Sequence, residues 1–98
     1  MLMIALLQSL FYNDMKTKHR KTLADIFAVP VNGALEWSRI EALLIASGCR
    51  VVEGKGSAVA FHKDGYVFHT HRPHPGKEAL RFRVLEARGF LEDIGVTP

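Results

Sequence analysis

Apolar residues recur at helical spacing in two stretches, one in the middle of the chain and one near its end. The first stretch predicts a helix over Glu36–Ser47, with Gly48 at its exit and a face made of Trp37, Ile40, Leu43, Leu44 and Ser47. The second predicts an amphipathic helix that begins near Gly76 and Lys77 and ends at about Ile94. Its apolar stripe, spaced by four and three residues in turn, consists of Leu80, Val84, Ala87, Leu91 and Ile94.

Three short runs between these helices have the pattern of strands. They are Arg50–Glu53, Ala58–His62 and Tyr66–His71. Asp64 and Gly65 lie between the second and third runs, and this dipeptide tolerates the positive φ angles of a tight hairpin. Alternation in the third run divides it into two faces, one with Val67, His69 and His71 and one with Tyr66, Phe68 and Thr70. The pattern leaves open which face packs against the helices.

The element order α-β-β-β-α predicts an α+β fold in which two helices cover one face of a three-stranded antiparallel sheet. Ahead of these elements, Lys21–Phe27 is compatible with a short helix or turn, which would end before Val29 because Pro30 disfavours helix in the preceding residue. The chain shows no internal repeat and no linker. We therefore expect a single domain over residues 15–98.

Residues 1–14 form an extra apolar N-terminal segment that needs its own explanation. The segment is too short to span a bilayer, and it has neither a basic start nor a small-residue cleavage site. Two interpretations remain: Met15 is the natural start with an upstream extension ahead of it, or the segment forms a docked helix. The basic run after Met15 favours the first interpretation slightly.

Composition narrows the function only mildly. The 98 residues carry a net charge of +3 with neutral histidines and are 48% hydrophobic, which suits one small globular domain with an acidic partner such as nucleic acid. The single cysteine, Cys49, cannot form an internal disulfide. A reducing, cytoplasmic location is therefore expected. The simplest role for Cys49 is that of a small, half-buried packing residue.

A histidine-rich segment between the third strand and the last helix is the richest in candidate chemistry. Imidazoles beside fixed cations suit phosphate chemistry, because they move protons near neutral pH while the cations hold an anion. Two prolines stiffen the segment. The residues concerned are His69, His71, Arg72, Pro73, His74, Pro75 and Lys77.

His71 and His74 are the best candidates for acid–base catalysis, because they border Arg72 and Lys77. The alternative is a rigid loop that only caps the sheet. His62, beside the hairpin turn, is expected to be solvated, and His19 belongs to a charged start.

A zinc site is the third interpretation of this segment. The histidines at positions 69, 71 and 74 could bind zinc together with water. No fourth type of ligand clusters nearby, however, and the Arg72 charge would repel a cation. We therefore expect no metal and no cofactor.

The order and spacing of several short motifs resemble those of the HicA family, small toxins of bacterial type II toxin–antitoxin systems. The resemblance extends from about Lys16 to Pro98. The motifs that carry it are Lys18–Leu23, Trp37–Glu41 followed by Leu43 and Leu44, Gly54–Ser57, His71–Glu78, and Phe90–Glu92 followed by Gly95.

The resemblance implies a fold like that of a double-stranded-RNA-binding domain and activity as a ribosome-independent mRNA endonuclease. It also implies inhibition by a HicB-type antitoxin. The family commonly carries glycine, then serine or threonine, then a catalytic histidine at the start of the second strand. Gly56 and Ser57 match this pattern, but the next residue is Ala58.

The alanine leaves three possibilities: a branch that uses another residue, a degenerate binding protein, or a substitution that allows a toxic protein to be produced. The leading hypothesis is a toxin-type endoribonuclease fold with an antitoxin partner. A non-catalytic RNA- or protein-binding module and a metal-dependent hydrolase are the alternatives. Because such folds read phosphates and 2′-hydroxyls, the expected RNA contacts are Lys55, Gly56, Ser57, Arg72 and Lys77. Lys55 would contact RNA from a glycine turn and Lys77 from a helix start, whereas Arg81 and Arg83 fit a solvated positive face almost equally well.

Overall fold

The computed structural model describes residues 15–98, which contain three helices and one antiparallel sheet. The interpretations of residues 1–14 fall outside this described part. In chain order the elements are α1 (Thr17–Ile26), α2 (Trp37–Ala46), β1 (Arg50–Glu53), β2 (Ala58–Lys63), β3 (Tyr66–His71) and α3 (Arg81–Asp93). The predicted α+β class and the α-β-β-β-α order are confirmed, with α1 as an additional helix.

The sheet has the strand order β1-β2-β3, and both strand pairs are antiparallel. The turn between β2 and β3 has positive φ at Asp64 (53°) and Gly65 (83°), as the dipeptide predicted. The register of the β2–β3 pair places Ala60 opposite His69 and Ala58 opposite His71. Because paired residues point to the same side of a sheet, Ala58 and His71 are neighbours on one face.

The two faces of β3 have different surroundings, which answers the question that the sequence pattern left open. Phe68 and Thr70 are buried, whereas Val67, His69 and His71 are exposed. An aromatic series on the buried face runs from Trp37 through Phe61 and Phe68 to Phe90, with ring centroids 6.1, 6.1 and 5.6 Å apart. Aromatic pairs at such distances bury large areas in favourable tilted or offset geometry. The helices therefore pack on this face, and the histidine face is left accessible.

Helix α2 follows the predicted pattern closely. All five residues of the predicted face are buried. Gly48 adopts a φ of 93°, and the N–H of Cys49 donates to the carbonyl of Leu44, which closes the helix with a glycine C-terminal motif. The burial of this stripe anchors α2 in the core.

Helix α1 begins earlier than predicted, at Thr17 rather than Lys21. Polar contacts from the other helices hold it. Arg39 of α2 forms an ion pair with Asp25 at 2.7 Å, and Arg88 of α3 donates to the carbonyls of Ile26 and Ala28, both at 2.9 Å. These contacts are long-range, and local spacing could not have indicated them.

Helix α3 begins at Arg81, so the prediction that it starts near Gly76 and Lys77 is wrong. The preceding residues are extended, because they pair with the segment ahead of α2. The carbonyl of Lys77 accepts from the N–H of Trp37 at 2.9 Å, and the N–H of Ala79 donates to Leu35 at 2.7 Å. Leu80, expected in the buried stripe, is 62% exposed at the N-cap, whereas Phe90 is buried instead.

Candidate functional site

Two grooves meet at the end of β3. The first, of about 510 Å³, lies along the sheet and is called the sheet groove; Val52, Ala58, Ala60 and His69 are among its lining residues. The second, of about 310 Å³, lies along the segment that follows β3 and is called the loop groove; Trp37, Arg72, Pro73 and His74 are among its lining residues. His71 and Arg83 line both grooves. These two side chains therefore mark the junction at which one extended ligand could occupy both grooves.

His71 is oriented by a neighbour across the strand pair. Its Nδ1 lies 3.3 Å from the Oγ of Ser57, the residue just before β2. The backbone also joins the two segments, because the N–H of Arg72 donates to the carbonyl of Ser57 at 2.9 Å. Ser57 is thus fixed relative to the end of β3, where it can hold the imidazole ring in place.

The contact between Ser57 and His71 leaves the other ring nitrogen, Nε2, for a ligand. When Nδ1 carries the proton and donates to Ser57, Nε2 has a free lone pair and can act as a base. When both ring nitrogens are protonated, Nδ1 still donates to Ser57 and the Nε2–H of the imidazolium can act as an acid. One hydrogen bond therefore supports either proton-transfer role.

The guanidinium of Arg72 is bound by two carboxylates. Its Nε and Nη2 donate to the oxygens of Glu41 at 2.8 and 3.0 Å, and its Nη1 and Nη2 donate to Glu53 at 2.6 and 2.8 Å. These four bonds use most of the five N–H donors of the side chain. Glu41 also accepts from the indole N–H of Trp37 at 2.8 Å. The network joins α2, β1 and the segment after β3, and it is called the Arg72 network.

The charges in the Arg72 network stabilise one another. Hydrogen bonds from Arg72 hold the pKa of the Glu41 carboxyl below its ordinary value, although partial burial opposes this. They lower the pKa of the Glu53 carboxyl in the same way. The carboxylates in turn raise the pKa of Arg72. A phosphate would have to compete with both carboxylates for this guanidinium.

The other predicted RNA contacts lie on the surface around the grooves. Lys55 and Gly56 form the turn between β1 and β2, where Gly56 has a φ of 57°. Lys77 is exposed, with its Nζ 3.9 Å from a carboxylate oxygen of Glu36. It does not lie at a helix start, so it lacks the assistance of a helix dipole that the sequence suggested.

The sequence model of the HicA toxins of bacterial toxin–antitoxin systems matches residues 37–96, from the start of α2 to just beyond α3. The match covers more than half of the chain. The chain belongs to the HicA toxin family. No curated protein and no solved structure matches it. In the part of the chain that the structure describes, no helix is long and apolar enough to cross a membrane.

Within this HicA domain, His71 and His74 line the loop groove. His69 lines the sheet groove but not the loop groove. His19 lies on α1 beside a separate small groove. There, burial and the charges of Lys18 and Lys16 lower its pKa. Residues 15–98 contain no group of three or more histidine, cysteine or acidic side chains placed to hold a metal ion.

Cys49 of the HicA domain is buried at the end of α2. Burial raises the pKa of its thiol, which disfavours the reactive thiolate. A packing role therefore describes this residue better than a nucleophilic one.

Sequence reasoning did not single out Arg83 or the two carboxylates of the Arg72 network. The sequence favoured an RNA contact and a solvated helix face almost equally for Arg83, whereas its side chain is only 24% exposed and lies at the groove junction. The signal for Glu41 was present in its spacing, since Trp37 and Glu41 are neighbours one helical turn apart.

Proposed function

We propose that this HicA-family toxin is a metal-independent endoribonuclease that cuts mRNA in the cytoplasm and is neutralised by a HicB-type antitoxin. The observation that carries the proposal is the place of His71. It lies at the groove junction, it is held by Ser57, and it is paired across the strands with Ala58, the position at which the family resemblance expects a histidine. An imidazole at position 71 can therefore reach the same region as one at position 58.

The proposed reaction uses the 2′-hydroxyl of RNA as its nucleophile. A base takes the 2′-hydroxyl proton as the oxygen attacks the adjacent phosphorus, and the bond from phosphorus to the 5′ oxygen of the next nucleotide breaks. An acid returns a proton to that leaving oxygen, so the products are a 2′,3′-cyclic phosphate and a 5′-hydroxyl. His71 and His74 supply the base and the acid, because both line the loop groove.

RNA is held, in this proposal, by the surface that surrounds the junction. Lys55, in the turn before β2, and Lys77, in the segment before α3, offer exposed ammonium groups. Gly56 and Ser57 offer backbone and hydroxyl groups at the start of β2. Arg72 contacts RNA only where a phosphate displaces a carboxylate, and its main task is to fix the segment that carries His71 and His74.

A second candidate function is a non-catalytic RNA- or protein-binding module. One observation favours it: Ala58 has no titratable group at the position where the resemblance places the catalytic histidine. The grooves would then bind a ligand without cutting it. Loss of cleavage together with retained RNA binding would identify this case.

The deciding experiment incubates the purified protein with a long mRNA, with and without EDTA, beside the Ala58→His variant. EDTA-insensitive cleavage by the unaltered chain supports catalysis by the loop histidines. Cleavage by Ala58→His alone would identify a silenced toxin with intact binding surfaces. Cleavage that EDTA abolishes would contradict the metal-independent mechanism.

The partner proposal has its own test. Coexpression with the product of the adjacent gene should give a complex that survives gel filtration and no longer cuts or binds mRNA. A neighbouring product that neither binds the chain nor changes its action on mRNA would contradict the antitoxin proposal.

A further inference from the structure

Arg83 has the surroundings expected of a phosphate-binding side chain at the groove junction. Among residues 15–98, it is the fixed positive charge that lines both grooves, and it shares this position with His71. Its side chain is largely covered, with 24% exposure, so it does not extend freely into solvent. The charge is therefore held where a ligand spanning the two grooves must pass.

Two contacts position the Arg83 side chain. Its guanidinium carbon lies 4.5 Å from the ring centroid of Phe82, and its Nη1 donates to Glu86 at 3.1 Å, one helical turn further along. Glu86 is itself 46% exposed. The bond to Glu86 leaves most of the guanidinium N–H donors of Arg83 for another acceptor, in contrast to the four bonds that occupy Arg72.

We infer that Arg83 binds the phosphate at which RNA is cut, and that the nucleotides on its two sides lie in the sheet groove and the loop groove. The inference rests on the proposed RNA-cleaving function and deepens it. A guanidinium matches the paired oxygens of a phosphodiester and can bind both at once. His71 then faces the same phosphate from the strand side, within reach of the 2′-hydroxyl.

The two grooves differ in their lining residues, so the two sides of the junction are not equivalent. The sheet groove is lined by the apolar Val52, Ala58 and Ala60 together with the polar Glu53, His69 and Thr70. The loop groove offers Pro73 and the exposed imidazole of His74, a flat ring suited to stacking on a base. A single-stranded segment that crosses the junction therefore meets a different surface on each side of the cut phosphate.

The matched test compares Arg83→Gln with Arg81→Gln. Arg81 has the same side chain on the same helix, but it lines neither groove. Its guanidinium lies instead beside Gly33, where an added Cβ would be 2.9 Å from its Nε. Both variants lose one positive charge, so a general effect of net charge cancels between them.

The probe is a fluorescent 2′-O-methyl RNA hexanucleotide, which cannot be cut because its 2′ oxygens are blocked. We expect Arg83→Gln to weaken its binding about tenfold and to lower the slope of log affinity against log salt by about 0.7, as loss of one phosphate contact requires. Arg81→Gln should change the affinity less than twofold. Binding is measured by anisotropy, so the result does not depend on whether the chain cuts RNA.

A site-specific measurement accompanies the affinities. The imidazole signals of His71 should shift in NMR when the hexanucleotide binds the unaltered protein and Arg81→Gln, and this shift should be lost with Arg83→Gln at saturating probe. Equal affinities for the two variants, or an unchanged His71 shift with Arg83→Gln, would overturn the Arg83 inference while leaving the RNA function standing. Absence of binding by the unaltered protein would overturn both.

Discussion

The two arginines that line the loop groove, Arg72 and Arg83, have opposite surroundings. Arg72 gives four hydrogen bonds to two carboxylates and fixes the segment after β3. Among the described residues, Arg83 contacts one carboxylate, that of Glu86, and it lies where the grooves meet. The sequence places Arg72 inside the histidine-rich motif and Arg83 outside it, yet the geometry favours Arg83 for binding a ligand. For these two arginines, the number of guanidinium N–H donors left unused is a better guide to ligand binding than proximity to the histidine-rich segment.

The largest expected effect is a loss of mRNA cleavage when His71 at the groove junction is replaced. His71→Ala should lower mRNA cleavage at least tenfold, because a well-placed histidine contributes about 10²–10⁴-fold as an acid or base. The measurement is the initial rate of the unaltered chain and of the His71→Ala variant on a long mRNA. His62→Ala is the control, since His62 shares the sheet face but lines neither groove. Equal rates for the His71 variant and its parent would remove His71 from the mechanism.

The next effect concerns the Arg72 network. Arg72→Gln should lower the free energy of unfolding by about 2 kcal/mol, because it leaves the largely covered carboxylate of Glu41 without its charged partner. Urea unfolding measures the change. Arg50→Gln, at the exposed start of β1, should alter stability by less than about 0.5 kcal/mol. A loss no larger than in this control would show that Arg72 does not hold the segment.

Low pH should lower the stability of the protein through the same Arg72 network. The carboxyl pKa values of Glu41 and Glu53 are lower in the folded protein than their ordinary value of 4.5. Their contribution to stability is therefore complete above about pH 4.5 and is lost as the pH falls through the folded values. The urea midpoint should drop between about pH 5 and pH 3, and Arg72→Gln should drop less steeply. Parallel curves for the two proteins would contradict this assignment.

The smallest expected effect is a change in stability on removal of a buried hydroxyl, that of Thr70. Among residues 15–98, the Oγ1 of Thr70 is a buried side-chain oxygen with no hydrogen-bond partner. Thr70→Val should leave stability unchanged or raise it by up to about 1 kcal/mol, because it removes an unsatisfied polar group at nearly constant volume. The control is Thr22→Val, which should be destabilising, since its hydroxyl donates to Lys18 and accepts from Arg39. A clear loss of stability in Thr70→Val would reveal a partner for that hydroxyl.

Local patterns predicted most of the fold. The face of α2, the hairpin at Asp64 and Gly65 and the division of β3 into two faces all follow from spacing and turn chemistry. The start of α3 did not, because backbone hydrogen bonds between residues 77–79 and 35–37 keep that segment extended. Helical spacing in the sequence contains no information about this distant pairing.

The site was predictable only in part. The histidine-rich segment indicated His71 and His74 as candidates, and both line the loop groove. The partners that define their tasks come from other elements: Ser57 before β2, the carboxylates of α2 and β1, and Arg83 on α3. Such long-range contacts require the tertiary fold, so the role of each charge could not be assigned from sequence alone.

The pairing of Ala58 with His71 has a consequence for how such a site can change over generations. Under the proposed function, a reactive imidazole on either strand would serve the same junction, so the group could pass from one strand to the other while the grooves stay in place. A chain with histidines at both positions would be a working ancestor to either arrangement. Under that function, the strand pair would open a mutational route between them that includes no inactive intermediate.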